Sequence, residues 1–165
     1  MNVKKIVFPV DLAGSSYRIA PRVRSIVEKL NAELHLVKVV EGFKGYDTFF
    51  IPHRSLDLMD KDNIGLAERD LEEFAQKYFE DFSAIKLVVL RGDPVEQIRN
   101  YIVSEGIDIV IEAGRHDSFL ERRLFGDMAG KIAQNSPVPV KVIDPFEMGR
   151  KFHYGESAMT DNTAF

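Results

Sequence analysis

Residues 107–143, IDIVIEAGRHDSFLERRLFGDMAGKIAQNSPVPVKVI, decide the fold. An apolar run, residues 107–112, ends in Ala113 and Gly114. A loop follows, then a helix over about residues 127–135 with Met128, Ala129, Ile132 and Ala133 inward. Pro137 and Pro139 lead into a last apolar run, residues 138–143. The order is strand, glycine loop, helix, strand. A buried strand that feeds a glycine and a helix N-terminus is the place where α/β proteins hold phosphate. This loop, however, carries Asp117 and Asp127 where a phosphate cradle wants glycine and a hydroxyl.

Working outward, the same alternation fills the rest of the chain. Residues 5–10 (KIVFPV) and 33–40 (ELHLVKVV) read as buried strands, rich in β-branched residues. Between them Ser15 and Ser16 offer helix N-caps, and Ile19, Val23, Ile26, Val27 and Leu30 mark one helix face. Pro21 suits a first turn and not an interior, so the regular helix is expected to begin near Arg18 or to bend there. Residues 43–64 have no clean period and read as a long loop with one short helical turn. The aromatics Phe43, Tyr46, Phe49 and Phe50 in it would cover a ligand crevice or a dimer contact. Residues 65–82 read as a helix with a stripe of Leu66, Leu71, Phe74, Tyr78 and Phe82. Residues 85–90 form a third strand. After it Asp93 and Pro94 supply an N-cap and N1, Val95, Ile98 and Ile102 face inward, and Gly106 ends the helix. Strands alternating with helices imply a single α/β domain, a parallel sheet with helices on both faces. Residues 1–144 make up that domain, and the polar residues 145–165 read as a C-terminal tail.

Composition bounds the function. The chain has 165 residues, 22 basic against 26 acidic, and a net charge of −4. That balance argues against nucleic acid as a partner. With no cysteine, disulfides, thiolate metal sites and cysteine nucleophiles are absent. No signal segment or membrane-length apolar run is found, so the cytoplasm is the expected compartment. The four histidines are scattered, and no HExxH or carboxylate cluster suggests a metal. His116 beside Asp117 lacks the arrangement a nucleophilic triad needs, so no catalytic residue is assigned.

Four pieces in order, KKIVFPVD, LHLVKVVE, VVLRGDPVEQI and the loop–helix–strand from Gly114 to Ile143, resemble the universal stress protein family across nearly the whole chain. The resemblance implies an adenine nucleotide alpha hydrolase-like sheet of five parallel strands in the order 3-2-1-4-5. It implies a homodimer paired through the last strand, residues 138–143, and the two prolines there fit an edge in need of a partner or of blunting. Protein partners beyond the chain's own copy are unknown. Some members bind ATP through a loop G-x2-G-x9-G-(S/T). With Gly114 at the first glycine, Asp117 stands at the second, Gly126 at the third one residue early, and Asp127 at the hydroxyl. A carboxylate about 4 Å from a phosphate charge costs roughly 4 kcal/mol at an effective dielectric near 20. Micromolar binding is only about −8 kcal/mol. Arg115, Arg122, Arg123 and Lys131 would offset part of that cost.

The adenosine half is better kept. Asp11 matches the aspartate near base and ribose, Val39 a position lining the adenine pocket, and Ala113 an apolar contact to the nucleoside. The cofactor-binding set is therefore Asp11, Val39, Ala113, Gly114, Arg115, Gly126 and Asp127, with ATP or AMP as the ligand if one binds. Three of them have a plainer reading. Asp11 caps the next turn, Gly114 permits a positive φ, and Asp127 sits on a helix dipole worth roughly 0.3–1 kcal/mol. The function so read is a non-enzymatic stress-response protein with weak or no ATP binding. The alternative is an adenine-nucleotide switch or slow ATPase. A nucleotidyl-transfer enzyme would want a richer glycine-serine loop than DLAGSS after the first strand.

Overall fold

The computed structural model describes residues 3–11, 14–41, 53–114 and 128–145, leaving aside the side chains of residues 53–60, 128 and 129. Among these residues five strands and four helices alternate: β1 (Lys5–Pro9), α1 (Gly14–Leu30), β2 (Glu33–Val40), α2 (His53–Phe79), β3 (Ile85–Arg91), α3 (Pro94–Glu105), β4 (Ile109–Ala113), α4 (Met128–Asn135) and β5 (Val140–Ile143). The strands form one sheet in the order β3-β2-β1-β4-β5, and every pairing is parallel. The parallel sheet is what the strand–helix alternation implies, and the strand order is the one the family resemblance implies.

Period two divides the apolar residues of each strand between two cores. On one face Ile6, Phe8, Leu34, Leu36 and Ile111 pack with Ile19, Val23 and Val27 of α1 and Leu71, Phe74 and Phe79 of α2. On the other Val7, Val37 and Val110 pack with Ile98, Tyr101 and Ile102 of α3 and Ile132 of α4. An aromatic group seals the first core: Tyr17 meets Phe74 edge-on at 5.2 Å, and Phe8 lies 6.1 Å from the same ring. The α3 boundaries follow the expected chemistry. The Asp93 side chain accepts from the Glu96 N–H at 3.1 Å with Pro94 next. Gly106 closes the helix at φ 64°, where a side chain would be strained, and its N–H donates to the Ile102 carbonyl.

Several sequence expectations are corrected. α1 runs unbroken from Gly14 through Pro21 to Leu30. Pro21 lies on the exposed side, where the Tyr17 carbonyl it deprives of a partner can turn to water, while Ile19, Ala20, Val23 and Val27 anchor the buried side. Ser16 is not a cap but a buried first-turn residue whose hydroxyl accepts from the Asp11 N–H at 3.1 Å. The long loop is shorter than expected, because α2 already begins at His53 and spans 27 residues. Residues 53–64 show no amphipathic period, yet no proline or glycine interrupts them, so the packed C-terminal half extends the helix backwards. The buried stripe of α2 is Ala67, Leu71, Phe74, Ala75 and Phe79, whereas Leu66 is exposed and the helix ends before Phe82. Ala133 of α4 is exposed too, and Ile132 makes the contact. Residues 42–52, with their four aromatics, and residues 146–165 lie outside the described residues.

A histidine sits inside the second core. His35 on β2, paired between Val7 and Lys86, is 0% exposed. Its Nδ1 lies 2.8 Å from the Tyr101 hydroxyl. Its Nε2 faces Glu33 Oε1 at 3.2 Å without full hydrogen-bond alignment. Burial pushes the imidazole below its ordinary value, with Glu33 opposing in part. Burial likewise raises the Tyr101 phenol above its ordinary value.

Below about pH 6.5 the unfolded chain protonates this histidine before the folded one does, so the contribution of His35 is complete above that pH and declines as the pH falls. Urea unfolding should therefore show stability dropping from about pH 7 to 5, and His35→Leu should flatten that slope. Tyr101→Phe, which strands Nδ1, should cost about 1–3 kcal/mol at pH 7.5. An unchanged slope in His35→Leu would show that this residue is not its source.

Candidate functional site

In a parallel sheet of this order the connections leave β1 on one side and β4 on the other, so a crevice opens beyond their C-terminal ends. A cleft of about 190 Å³ lies there. Its rim comes from the strand ends: Pro9, Val10 and Asp11 after β1, Val37, Lys38 and Val39 on β2, and Glu112 and Ala113 on β4. The first turns of two helices border it, through Ser15 and Ser16 of α1 and Pro94 and Ile98 of α3, and Ile132 of α4 adds an apolar wall.

The structure brings Asp11, Val39 and Ala113 together in this cleft, as part of its lining. Asp11 is held through its backbone, its N–H bonded to Ser16 Oγ and its carbonyl accepting from Lys38 Nζ at 3.0 Å. Gly114 lies just past the lining. Its N–H donates to the Ile143 carbonyl at 2.6 Å and continues the β4–β5 ladder. Its φ is not positive, so that plainer reading falls away. A Cβ at Gly114 would come within 2.8 Å of Val142 Cγ1, so close approach of β5 is what favours glycine here. Arg115, Gly126 and Asp127 lie outside the described residues.

Two charged residues of the cleft escaped sequence reasoning. Lys38 lies between Val37 and Val39 on β2. Burial lowers its ammonium below the ordinary value, against the pull of the Asp11 and Asp70 carboxylates. Glu112 is 4% exposed and shares a face of β4 with Val110. The available signal was a charged residue interrupting an apolar run, in LVKVV and in IVIEA. Among the described residues the lining holds two carboxylates, Asp11 and Glu112, and one amine. Among the described residues no group of His, Asp and Glu converges to hold a metal ion. Nor is any described helix long and apolar enough to cross a membrane.

A parallel five-stranded sheet with its cleft at the switch point defines a Rossmann-like α/β domain. The sequence model of the universal stress protein family matches residues 2–144, and the chain belongs to that family. A universal stress protein of Methanocaldococcus jannaschii is 23% identical over 145 residues, which cover 85% of this chain and 81% of that one. Among solved structures, the universal stress protein UspA of Lactobacillus plantarum superposes with a TM-score of 0.68 at 20% identity, covering 86% of this chain and 97% of its own. A universal stress protein in complex with cAMP gives 0.62 at 18% identity, covering 87% and 98%. The Archaeoglobus fulgidus universal stress protein in complex with dAMP gives 0.53 at 14%, covering 87% and 100%.

The close approach at Gly114 can be tested directly. Gly114→Ala should destabilise the protein by about 1–3 kcal/mol through overpacking. Val142→Ala in the same chain should recover part of that loss in a double-mutant cycle. Strictly additive costs would show that Val142 is not the obstacle.

Proposed function

We propose that this protein is a non-enzymatic, cytoplasmic stress-response protein whose cleft takes the adenosine half of an adenine nucleotide and holds ATP weakly or not at all. The observation that carries this reading is the charge of the cleft. Apolar walls from Val39, Ile98, Ala113 and Ile132 suit a purine, while among the described lining residues Asp11 and Glu112 outnumber Lys38. One phosphate can be matched by one amine, but a triphosphate brings several more negative charges toward two carboxylates. At about 4 Å each such encounter costs roughly 4 kcal/mol in an environment of intermediate dielectric. The ligands of the two complexes just described, cAMP and dAMP, carry one phosphate each, which supports the same ordering.

The loop pattern points the same way. Counted back from Gly126, the intervals of nine and two fall on His116 and Ala113 without a missing residue, and Ala113 is the one that lines the cleft. Both leading glycines are then replaced, and Asp127 stands where a hydroxyl would meet phosphate. Backbone N–H groups close to a phosphate need bare neighbours, which this loop does not offer.

Calorimetric titration with adenosine, AMP and ATP, each with and without magnesium, tests the reading. Adenosine or AMP should bind at micromolar to low-millimolar levels, and ATP at least about tenfold more weakly than AMP. Tight, magnesium-dependent ATP binding would overturn this reading and favour a nucleotide switch or slow ATPase, with Arg115 and Arg123 supplying the phosphate contacts.

We also propose that the protein works as a homodimer paired through the last strand. β5 hydrogen-bonds only to β4 in the sheet, and Val142 on it is 53% exposed. Sedimentation should give a dimer for the wild type and a shift toward monomer for Val142→Asp. A wild-type chain that stays monomeric at all concentrations would dismiss this pairing.

A further inference from the structure

Lys38 is a charged residue set in an apolar strand. Val37 and Val39 flank it, Val89 is its partner on β3, and its side chain is half-buried. Its Nζ donates to the Asp11 carbonyl at 3.0 Å, which holds it in the cleft lining. The carboxylates that act on it are those of Asp11, after β1, and Asp70 on α2, and Glu112 shares the lining. A carbonyl accepts an N–H from an ammonium and from a neutral amine alike, so the contact to Asp11 survives loss of the proton and leaves the nitrogen lone pair free to react. Burial lowers the Lys38 ammonium and so enlarges its nucleophilic fraction. Lys86 is the contrasting case, since its Nζ lies 2.7 Å from Glu105 Oε2 and that bond raises its amine. Lys5 also rests on a carbonyl, that of Glu105 at 2.9 Å, but lies outside the cleft lining.

We propose that Lys38 is an acylation site whose amine takes the acyl group from a mixed carboxylic–phosphoric anhydride entering the cleft. An acyl chain suits the apolar walls of Val39, Ile98, Ala113 and Ile132. The phosphate of such a donor is drawn to the ammonium form of Lys38, the one amine among the described lining residues, before the proton is lost. A phosphate also departs as a stable anion, so no acid is needed to expel it. The neutral amine attacks the acyl carbon. A C–N bond forms, the C–O bond to the phosphate oxygen breaks, the phosphate leaves with that electron pair, and the nitrogen's proton passes to water. Nothing is oxidised or reduced. Free acyl phosphates and acyl adenylates share this chemistry, and of the two only the adenylate would also use an adenosine subsite. The amide product carries no charge, so acylation leaves Asp11 and Glu112 without a cation among the described lining residues.

The full chain is incubated at mildly alkaline pH with acetyl phosphate and, separately, with acetyl adenylate, and the acetyl occupancy of each lysine is followed over time by peptide mass spectrometry. With at least one donor Lys38 should be acetylated at least about fivefold faster than the exposed Lys29, Lys77 and Lys141, because the cleft holds donor and amine together. Rates at Lys38 no greater than at those three, with both donors, would overturn the proposal. In Lys38→Arg the fast phase should vanish from the whole protein, and a fast phase of unchanged size would overturn it as well. A larger rate with acetyl adenylate at Lys38 alone, slowed by added AMP, would support the acylation site and the adenosine reading together. A fast Lys38 with acetyl phosphate, no faster with acetyl adenylate and untouched by AMP, would support the acylation site and count against the adenosine reading. If Lys38→Arg fails to give a cooperative melt, the comparison among wild-type lysines decides alone.

Discussion

Everything in this molecule is arranged around β1. Ile6, Val7 and Phe8 are fully buried, and the strand is hydrogen-bonded on both edges, to β2 and to β4. A strand in that position exposes neither face nor edge to water, so its backbone groups have only other strands as partners. The chain leaves it toward β2 and returns to it from the far side through α3 and β4. Because successive connections go opposite ways, α1 and α2 cover one face and α3 and α4 the other. The cleft is a consequence of that arrangement rather than an addition to it.

Polar residues inside such a sheet have to be accounted for one at a time. His35 is neutral, held by Tyr101 and facing Glu33, and it belongs to the architecture at the N-terminal end of β2. Asp108, at the entry to β4, accepts from the backbone N–H groups of Lys4 and Lys5, which lowers its carboxyl and ties the starts of β1 and β4 together. Lys38 and Glu112 lie at the opposite end, in the cleft lining.

Much of this was legible in the residues. Short β-branched runs separated by helical periods give the strand count and the parallel sheet, and Asp93-Pro94 with Gly106 marks α3 to the residue. What misled was punctuation. Pro21 reads as a helix start, but the buried side of α1 outweighs one missing hydrogen bond. Residues 53–64 read as loop because they carry no stripe, and a helix extended from a packed half needs none. At the site, Asp11, Val39 and Ala113 line one cleft. Gly114 looked like a ligand-facing glycine, and its requirement comes instead from Val142, a residue whose proximity no local pattern reveals. Lys38 and Glu112 were visible as charges in apolar runs, but only the fold shows that they meet in one crevice.

The length of α2 has a consequence for how that crevice is reached. At about 1.5 Å per residue, 27 residues make a rod of roughly 40 Å, whereas the eight residues of β2 extend only about 26 Å. Among the described side chains of α2 the buried ones come at or after Ala67. Because α2 follows β2 and runs back along the sheet, its first turns share with the cleft the end at which the strands finish.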